Sequence, residues 1–193
     1  MRNEPLIIGI SGKKRSGKDT AAKFIQEYTE YTLNLQIGSF AYNVRVVASV
    51  LTGIPLEEWL DDSIKDRMLD DWGVTGRVYL QQLATEALRD NFYDDIWVKS
   101  FEANRKPGAN YIIADLRFIN EVEYIKSKGG ILLRVEPSYP GYVNTGDTHI
   151  SETELDFYDG FDAYLLNDGT PEKFFNNIRK EFDSLNKVND YRI

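Results

Sequence analysis

The segment from Gly12 to Thr20 constrains the fold of this chain more than any other part of its sequence. It has the spacing G-x-x-x-x-G-K-x-T, after the apolar run Leu6–Ser11 and before a helical pattern at 18–29. The glycines let the backbone curl so that successive N–H groups point at one anion, and the helix N-terminus adds about half a unit of positive charge. The segment therefore predicts a phosphate-binding loop, called the phosphate loop below, between a buried strand and a helix.

The residue types in the phosphate loop suggest roles for its side chains. Lys18 would reach the β- and γ-phosphates of a nucleoside triphosphate such as ATP. The usual motif places Ser or Thr directly after the lysine, whereas Asp19 stands here, so Asp19 or Thr20 would help to hold Mg²⁺, directly or through water. A chance glycine turn with a basic surface is the alternative. The predicted ATP-binding residues of the loop are Gly12, Lys13, Lys14, Arg15, Ser16, Gly17, Lys18, Asp19 and Thr20.

Strand-like and helix-like patterns alternate along the chain. This alternation predicts an α/β fold with a parallel sheet of about five strands and helices on both faces. Ligands of such sheets bind beyond the carboxyl ends of the strands, where the phosphate loop also lies. The predicted strands are Leu6–Ser11, 33–38, Tyr111–Ala114, Ile131–Val135 and Ala163–Leu166. The predicted helices are 18–29, 40–51, 77–91, 96–103, 119–128 and 171–186, and 56–75 is expected to be less regular.

A second polar motif lies at the end of the apolar strand Tyr111–Ala114. Asp115 follows this strand directly, where a carboxylate can position Mg²⁺ across the sheet from the phosphate loop. Arg117, two residues further on, could neutralise charge on a transferring phosphoryl group. The alternative is structural, with Asp115 capping a helix and Arg117 in a surface ion pair.

Four polar residues in the predicted helix 77–91 recur at intervals of four, namely Arg77, Gln81, Thr85 and Arg89. Each step of four turns an α-helix by only about 40° beyond a full turn, so these residues form one slanting stripe. Two arginines on such a stripe suit a second anionic ligand, because arginine grips phosphate through two parallel N–H groups. From spacing alone, an ordinary solvated helix face is the favoured interpretation.

Composition excludes several classes of protein. The 193 residues suit one α/β domain and include no cysteine and a single histidine, His149, so disulfides, thiolate metal sites and a His-rich metal site are excluded. The net charge of −8 argues against nucleic-acid binding, although Lys13, Lys14, Arg15 and Lys18 concentrate positive charge in the phosphate loop. The first apolar run is too short for a signal peptide or a membrane span, so we expect a cytoplasmic protein without membrane partners.

The loop at 137–150 holds two prolines and two glycines and is expected to be a mobile lid over the phosphates, although it carries no Lys or Arg. His149 is expected to be a loop or helix-start residue and not a catalyst. Ser151 and Glu154 have the spacing of a capping box.

Together these segments resemble the bacteriophage deoxynucleoside monophosphate kinases of the P-loop kinase superfamily, over most of the chain. The phosphate loop resembles that of the family, in which Asp-Thr after the lysine is usual. The most distinctive stretch is 75–98, with Thr-Gly-Arg, Leu-Gln-Gln-Leu-Ala-Thr-Glu and Asp-Ile-Trp-Val. The other matching segments are Ser39–Ala41 with Arg45, Ala114–Phe118, Asn120–Glu121, His149–Glu152 and Asn167–Thr170.

The resemblance implies transfer of the γ-phosphoryl group of ATP to a deoxynucleoside monophosphate, with Mg²⁺ as the metal. Lys18, Asp115 and Arg117 would act at the transferring group, Asp19, Thr20 and Asp115 would serve the metal, and Asn167 and Gly169 would lie near the adenine. The implied substrate-binding residues are Ser39, Phe40, Arg45, Arg77, Gln81, Glu86, Arg89 and Trp97.

The resemblance also implies a domain plan and a setting. It describes a single kinase domain over 1–193, with a core at 1–38 and 108–193, a helical acceptor-binding region at about 39–107 and a lid at about 137–150. The protein would act on a small molecule in the cytoplasm, of the host if phage-encoded, and a homodimer is permitted. Two departures stand out. Tyr42-Asn43 replaces the frequent Asp-Pro, and the lid lacks arginines, so Lys14, Arg15, Arg117 or Arg134 would have to substitute.

Two alternatives stay open at this point. A related metabolite kinase such as phosphomevalonate kinase has a similar basic phosphate loop and an Asp-x-Arg at the later strand, with less of the 75–98 stretch. A P-loop binding or switch protein would hold or hydrolyse the nucleotide without an acceptor, although the arginine stripe argues against it.

Overall fold

The computed structural model describes residues 4–143 and 146–189. Its strands are β1 (Ile7–Ser11), β2 (Gln36–Gly38), β3 (Met68–Leu69), β4 (Val74–Thr75), β5 (Tyr111–Ile113), β6 (Ile131–Pro137) and β7 (Ala163–Asn167). Its α-helices are α1 (Lys18–Tyr28), α2 (Tyr42–Thr52), α3 (Leu56–Leu60), α4 (Gly76–Gln81), α5 (Ile96–Asn104), α6 (Ile119–Ser127), α7 (Ile150–Thr153) and α8 (Pro171–Asn189). A π-helix spans Gln82–Arg89.

The chain forms two compact units. The sheet unit comprises Met1–Ser39 and Lys106–Ile193, and the helical unit comprises Phe40–Arg105. In the described part of the sheet unit, five parallel strands have the order β2-β5-β1-β6-β7. This confirms the predicted α/β fold class.

The register of the sheet aligns the carboxyl ends of its central strands. Ile8 of β1 lies opposite Ile112 of β5 on one side and Ile131 of β6 on the other. Gly38, the last residue of β2, lies opposite Ile113 of β5. Because all these strands run in the same direction, the residues that follow them are gathered at one edge of the sheet, where ligands bind in α/β folds.

Helices cover both faces of this sheet. Ile8 and Ile10 of β1 belong to a buried cluster that includes Ile25 of α1 and Ile178 of α8. On the other face, a Cβ built on Gly9 would lie 2.5 Å from Cδ1 of Ile125 in α6. Burying apolar side chains on both faces excludes water from the strands, as the near-continuous apolar runs in the sequence require.

The helical unit has its own apolar core. Trp59 is fully buried, and its ring lies 5.7 Å from that of Tyr79. The segment expected to be less regular contains α3 and the antiparallel pair β3–β4, in which Met68 lies opposite Thr75. Two-residue strands are too short to show the alternation by which strands are predicted, which is why they were missed.

The predicted helix 77–91 is composite. Its first part is α4, and its second part is the π-helix, after which the Asp90 N–H donates to the carbonyl of Thr85, five residues back, at 2.9 Å. π-Helical segments are rare and frequently accompany functional sites.

Gly76 fixes where α4 begins. A Cβ at this position would lie 2.2 Å from the carbonyl oxygen of Ile64, and the Gly76 N–H donates to the carbonyl of Arg67 at 3.0 Å. Only glycine permits this approach of two backbones, so the Thr-Gly-Arg sequence places Arg77 at the start of the helix.

Two further expectations can be compared with the structure. The predicted lid at 137–150 overlaps the end of β6, which continues to Pro137, and the lid residues Asn144 and Thr145 lie outside the described residues. Among the described helices, none combines the length and the apolar character needed to cross a membrane.

Candidate active site

The phosphate loop connects β1 to α1. At two of its positions the backbone has a positive φ that glycine adopts more easily than other residues. Gly12 has φ 148° and Gly17 has φ 105°. A Cβ on Gly12 would lie 2.7 Å from the carbonyl oxygen of Val135, and one on Gly17 would lie 2.7 Å from Nδ2 of Asn167. Both glycines are therefore needed for the loop to curl between its neighbours.

The side chain of Lys18 reaches back across the curl. Its Nζ donates to the carbonyl oxygens of Gly12 at 2.7 Å and Lys13 at 2.9 Å. An ammonium held by neutral carbonyls in this way keeps its positive charge beside the backbone N–H groups, where an anion is attracted.

Ser16, Asp19 and Thr20 present oxygen atoms around the same loop. Ser16 is fully buried, and in the described part of the chain its Oγ has no hydrogen-bond partner. A buried hydroxyl without a partner is uncommon in native structures and fits a site built for a polar ligand. Asp19 and Thr20 lie exposed in the first turn of α1.

Asp115 lies at the carboxyl end of β5, and its Oδ2 accepts a hydrogen bond from Ser39 Oγ at 2.7 Å. Ser39 follows β2, so the pairing of β2 with β5 brings the two residues together. The N-cap of α6 is Phe118, so the alternative that Asp115 caps this helix is wrong. Ser39 was expected to contact the substrate, but in the structure it donates a hydrogen bond to Asp115, the candidate metal ligand.

Arg117 is half-buried, and its guanidinium contacts the Glu152 carboxylate and the Ser151 carbonyl, the latter at 3.1 Å. Burial lowers the pKa of Arg117, but the carboxylates of Glu152, Asp115 and Glu121 raise it, and the net shift is upward. Glu152 is only 10% exposed, so this contact is not the surface ion pair of the alternative interpretation. The guanidinium therefore stays charged beside Asp115.

The carboxylate of Asp156 also holds two further cations at this edge of the sheet. Lys13 Nζ lies 2.6 Å from the carboxylate of Asp156, and Arg134 lies 3.6 Å from the same group. With Arg117, these cations line a cavity of about 20 Å³ that is also bordered by Gly12. The cavity has the size of about one water molecule. Of the residues expected to replace lid arginines, Arg117 and Arg134 lie here.

Asn167 ends β7 and contacts the phosphate loop itself, because its Nδ2 donates to the Ser16 carbonyl at 2.9 Å. Gly169 has φ 105°, and a Cβ there would lie 2.5 Å from Cβ of Tyr139. The two residues expected near the adenine thus border the loop and the segment after β6.

Three arginines of the helical unit that were expected to bind the substrate each form a hydrogen bond or an ion pair with another residue of that unit. Arg45 donates to the Trp59 carbonyl at 2.7 Å. Arg77 lies 3.2 Å from Asp66, whose side chain is 73% exposed. The Arg89 side chain is 2% exposed and donates to the Asp94 carbonyl at 3.1 Å.

The polar stripe differs from a solvated helix face. Thr85 and Arg89 are both 4% exposed, whereas Gln81 is half-buried. The stripe therefore enters the interior of the helical unit along the π-helix, and the solvated-face interpretation is wrong for these two residues.

Other predicted substrate contacts lie in different surroundings. Glu86 is exposed on the π-helix. Trp97 is 4% exposed and its Nε1 donates to the Ala84 carbonyl at 3.0 Å, while Phe40 is 2% exposed and packs edge-on against Phe101. Trp97 and Phe40 therefore shape the interior of the helical unit.

His149 is the N-cap of α7, and its Nδ1 accepts from the Ser151 N–H at 3.2 Å. This agrees with the expected helix-start role. The capping box expected at Ser151 is wrong, since Ser151 lies inside α7 and Glu154 instead accepts from the Ile119 N–H at 2.7 Å.

Several residues of this site were missed by sequence reasoning. Four of them contact candidate residues far away along the chain, which no local spacing predicts, whereas Glu121 accepts from the N–H of Arg117 only four residues before it. These residues are Glu121, Tyr139, Tyr142, Glu152 and Asp156.

We predict that Glu121→Ala lowers the stability of the fold. Glu121 is 2% exposed, and its Oε2 accepts from the N–H groups of Arg117 at 2.8 Å and Phe118 at 3.2 Å. Removing a buried acceptor from two donors costs roughly 2 to 4 kcal/mol of unfolding free energy. Denaturant unfolding measures this loss.

Glu123→Ala is the matched control, since Glu123 lies exposed on the same helix. We expect it to behave like the wild type. Equal stability of the two variants would contradict the role given to Glu121.

Comparison with known proteins gives the family of the chain. A profile described as deoxynucleotide monophosphate kinase matches residues 53–178. A putative deoxynucleotide monophosphate kinase of Acanthamoeba polyphaga mimivirus is 30% identical over 199 residues, which cover 95% of this chain and 100% of the viral protein. The deoxynucleotide monophosphate kinase of Enterobacteria phage T4 is 33% identical over 121 residues, and the match spans 60% of this chain and 48% of the phage protein.

A solved structure, TT1252 from Thermus thermophilus, shares the fold with a TM-score of 0.51 and 16% identity, over 95% of this chain and 99% of that one. The family profile and the viral relatives support a kinase and do not favour the phosphomevalonate kinase or switch alternatives. They confirm the expected resemblance, and the chain belongs to the deoxynucleotide monophosphate kinase family.

Proposed function

We propose that this chain transfers the γ-phosphoryl group of ATP to a deoxynucleoside monophosphate. The bond between the γ-phosphorus and the β–γ bridging oxygen breaks, a bond to an acceptor phosphate oxygen forms, and ADP and a deoxynucleoside diphosphate leave. The observation that carries the proposal is the phosphate loop at the end of β1, with Asp115 and Arg117 after the neighbouring strand β5. The family and its viral relatives agree with this reaction.

The phosphate loop would bind the triphosphate of ATP. Its N–H groups and the N-terminus of α1 attract the anion, and Lys18 would exchange its contacts with the Gly12 and Lys13 carbonyls for phosphate oxygens. Phosphoryl transfer requires mainly positioning and charge neutralisation, so no protein nucleophile is needed.

The oxygen donors beside the loop fit Mg²⁺. When bound, Mg²⁺ would neutralise charge on the β- and γ-phosphates. Magnesium sites use one or two carboxylates together with substrate phosphates and water, and Asp115, Asp19 and Thr20 offer such a set. Ser39 would keep the Asp115 carboxylate oriented through its 2.7 Å hydrogen bond.

Arg117 would neutralise charge on the phosphoryl group in transit. Its charge is secured by the carboxylates around it, and Glu152 together with the Ser151 carbonyl holds the guanidinium in place. A cation that is already positioned need not reorganise during the reaction, which is the source of electrostatic catalysis.

The acceptor phosphate would be held by arginines of the helical unit, as the family likeness implies. Arg77 is the best placed by its own surroundings, because its partner Asp66 is exposed and exchangeable for a phosphate. Arg45, Gln81 and Arg89 would complete the set. Glu86 would contribute from its exposed position, and Phe40 and Trp97 would support these side chains from the interior.

The setting of the reaction follows from the nature of the proposed substrates. Nucleoside monophosphates and ATP are small cytoplasmic molecules, and the relatives are viral proteins. We therefore place the reaction in the cytoplasm of a host cell, with no nucleic acid or membrane as a partner.

We predict that Lys18→Ala lowers kcat/KM for deoxynucleoside monophosphates by roughly 100- to 1000-fold, the usual effect of removing a charge-stabilising donor. The measurement is ADP release with ATP, Mg²⁺ and an equimolar mixture of the four deoxynucleoside monophosphates. Lys23→Ala, an exposed lysine on the same helix, should keep wild-type turnover.

Thermal unfolding of both lysine variants shows whether the fold is retained. A folded Lys18→Ala variant with normal turnover would overturn the assignment of the phosphate loop to catalysis.

We predict that Arg77→Ala raises KM for the acceptor roughly tenfold or more and leaves KM for ATP unchanged. The reason is the loss of a charged two-pronged contact to the acceptor phosphate. Arg67→Ala is the control, since Arg67 is also ion-paired in the helical unit, 2.6 Å from Glu58. Parallel changes in KM for ATP and for the acceptor would argue against an acceptor role for Arg77.

A further inference from the structure

In the first part of the phosphate loop, side chains donate hydrogen bonds to successive carbonyl groups. Five consecutive carbonyls, those of residues 12 to 16, are bound in this way in the described structure. The donors are Lys18 to the carbonyls of Gly12 and Lys13, Tyr142 to that of Lys14, Tyr139 to that of Arg15, and Asn167 to that of Ser16.

These bonds determine where the N–H groups of the loop point. A trans peptide is planar, so the N–H of one residue points opposite to the carbonyl of the residue before it. When the carbonyls of Lys14 and Arg15 are held by tyrosine hydroxyls, the two peptide planes to which these carbonyls belong are fixed. The N–H group of Ser16 donates to the Lys13 carbonyl at 3.1 Å and closes the turn of the loop, while the N–H group of Arg15 points away from the Lys14 carbonyl. Orienting successive N–H groups toward one point is what creates an anion site in such a loop.

The bond to Arg15 acts at a strained position. Arg15 has φ 64°, a left-handed conformation that is unfavourable for a residue with a Cβ. The Tyr139 hydroxyl donates to its carbonyl at 2.7 Å, a full-strength hydrogen bond. The bond therefore offsets part of this strain and favours the curled loop.

The two tyrosines form one small assembly after β6. Their rings lie 5.5 Å apart in an edge-to-face arrangement. Gly169 permits the approach of Tyr139, since a Cβ there would lie 2.5 Å from Cβ of Tyr139. The Ser138 N–H donates to the Asn167 carbonyl at 2.7 Å and ties this segment to the end of β7.

We propose that Tyr139 and Tyr142 are positioning residues, whose hydroxyls hold the curled backbone of the phosphate loop in its anion-binding conformation and so set its affinity for a triphosphate. The inference deepens the proposed function and rests on it for the identity of the triphosphate as that of ATP. Sequence reasoning gave this segment only the role of a lid.

The protonation of Tyr142 supports this role. Burial, followed by the nearby Tyr139, Glu136 and Glu152, raises the pKa of Tyr142 above its ordinary value of 10.0. The phenol therefore remains a hydrogen-bond donor throughout the neutral and mildly alkaline range. Its contact with the Lys14 carbonyl is long, at 3.4 Å, so it contributes less than Tyr139 does.

The test compares Tyr139→Phe and Tyr142→Phe by calorimetric titration with two probes, ATP and inorganic tripolyphosphate, each with Mg²⁺. Tripolyphosphate has no base, so it reports on the loop alone. We expect Tyr139→Phe to raise the Kd of both probes by a similar factor of roughly three to ten, and Tyr142→Phe to raise both Kd values by less. KM for the acceptor should not change.

Tyr158→Phe is the matched control. It also removes a tyrosine hydroxyl that donates to a backbone carbonyl, that of Gly160 at 3.2 Å, but not to the phosphate loop. It should bind both probes as the wild type does. If a tyrosine variant had lost structure in general, its thermal stability would fall and its KM for the acceptor would change. A positioning role predicts neither change.

Two results would overturn the inference. One is wild-type affinity for both probes in both tyrosine variants. The other is weakened binding of ATP with unchanged binding of tripolyphosphate, which would make the tyrosines contacts of the base. A protein that binds both probes as expected but transfers no phosphate would contradict the proposed function and leave this inference intact.

Discussion

Parallel pairing of β1 with β5 and β6 is the constraint on which the rest of the candidate site depends. It brings the residues that follow these strands to one edge of the sheet, although they are about a hundred residues apart in the chain. The phosphate loop after β1 and Asp115 after β5 therefore become neighbours without any local sequence linking them. Gly9 allows α6 to pack closely against β1, because a Cβ there would lie 2.5 Å from Cδ1 of Ile125. The position of the site is thus a consequence of how the core is packed.

Positive charge is concentrated at this edge of the sheet, although the chain as a whole is acidic. The net charge is −8, yet Lys13, Arg117 and Arg134 border one small cavity. Glu152 and Asp156 balance these cations, which allows them to be partly buried without an uncompensated charge. An anionic substrate that approaches the cations competes with carboxylates already in place.

Local features of the fold and site could be predicted from the sequence, and contacts between distant segments could not. The phosphate loop and Asp115 at a strand end are signalled by glycine spacing and by where an apolar run stops. The contact of Tyr139 with Arg15 joins residues 124 positions apart, and that of Glu152 with Arg117 joins residues 35 positions apart. Spacing rules describe neighbours on one helix or strand, so neither contact was visible.

The π-helix was missed for a related reason. Its residues have the same helical propensities and apolar spacing as an α-helix, and only the observed hydrogen bonds distinguish the two. Thr85 and Arg89 of this π-helix are buried, whereas the α-helical spacing favoured a solvated face.

The most direct test of the central claim is ADP release by the unmodified protein with ATP and Mg²⁺, measured with one acceptor at a time. The acceptors are the four deoxynucleoside monophosphates, their ribose counterparts, phosphomevalonate and none. The account predicts release that depends on at least one deoxynucleoside monophosphate, together with formation of the matching diphosphate. Release only with phosphomevalonate, or equal release without any acceptor, would contradict it.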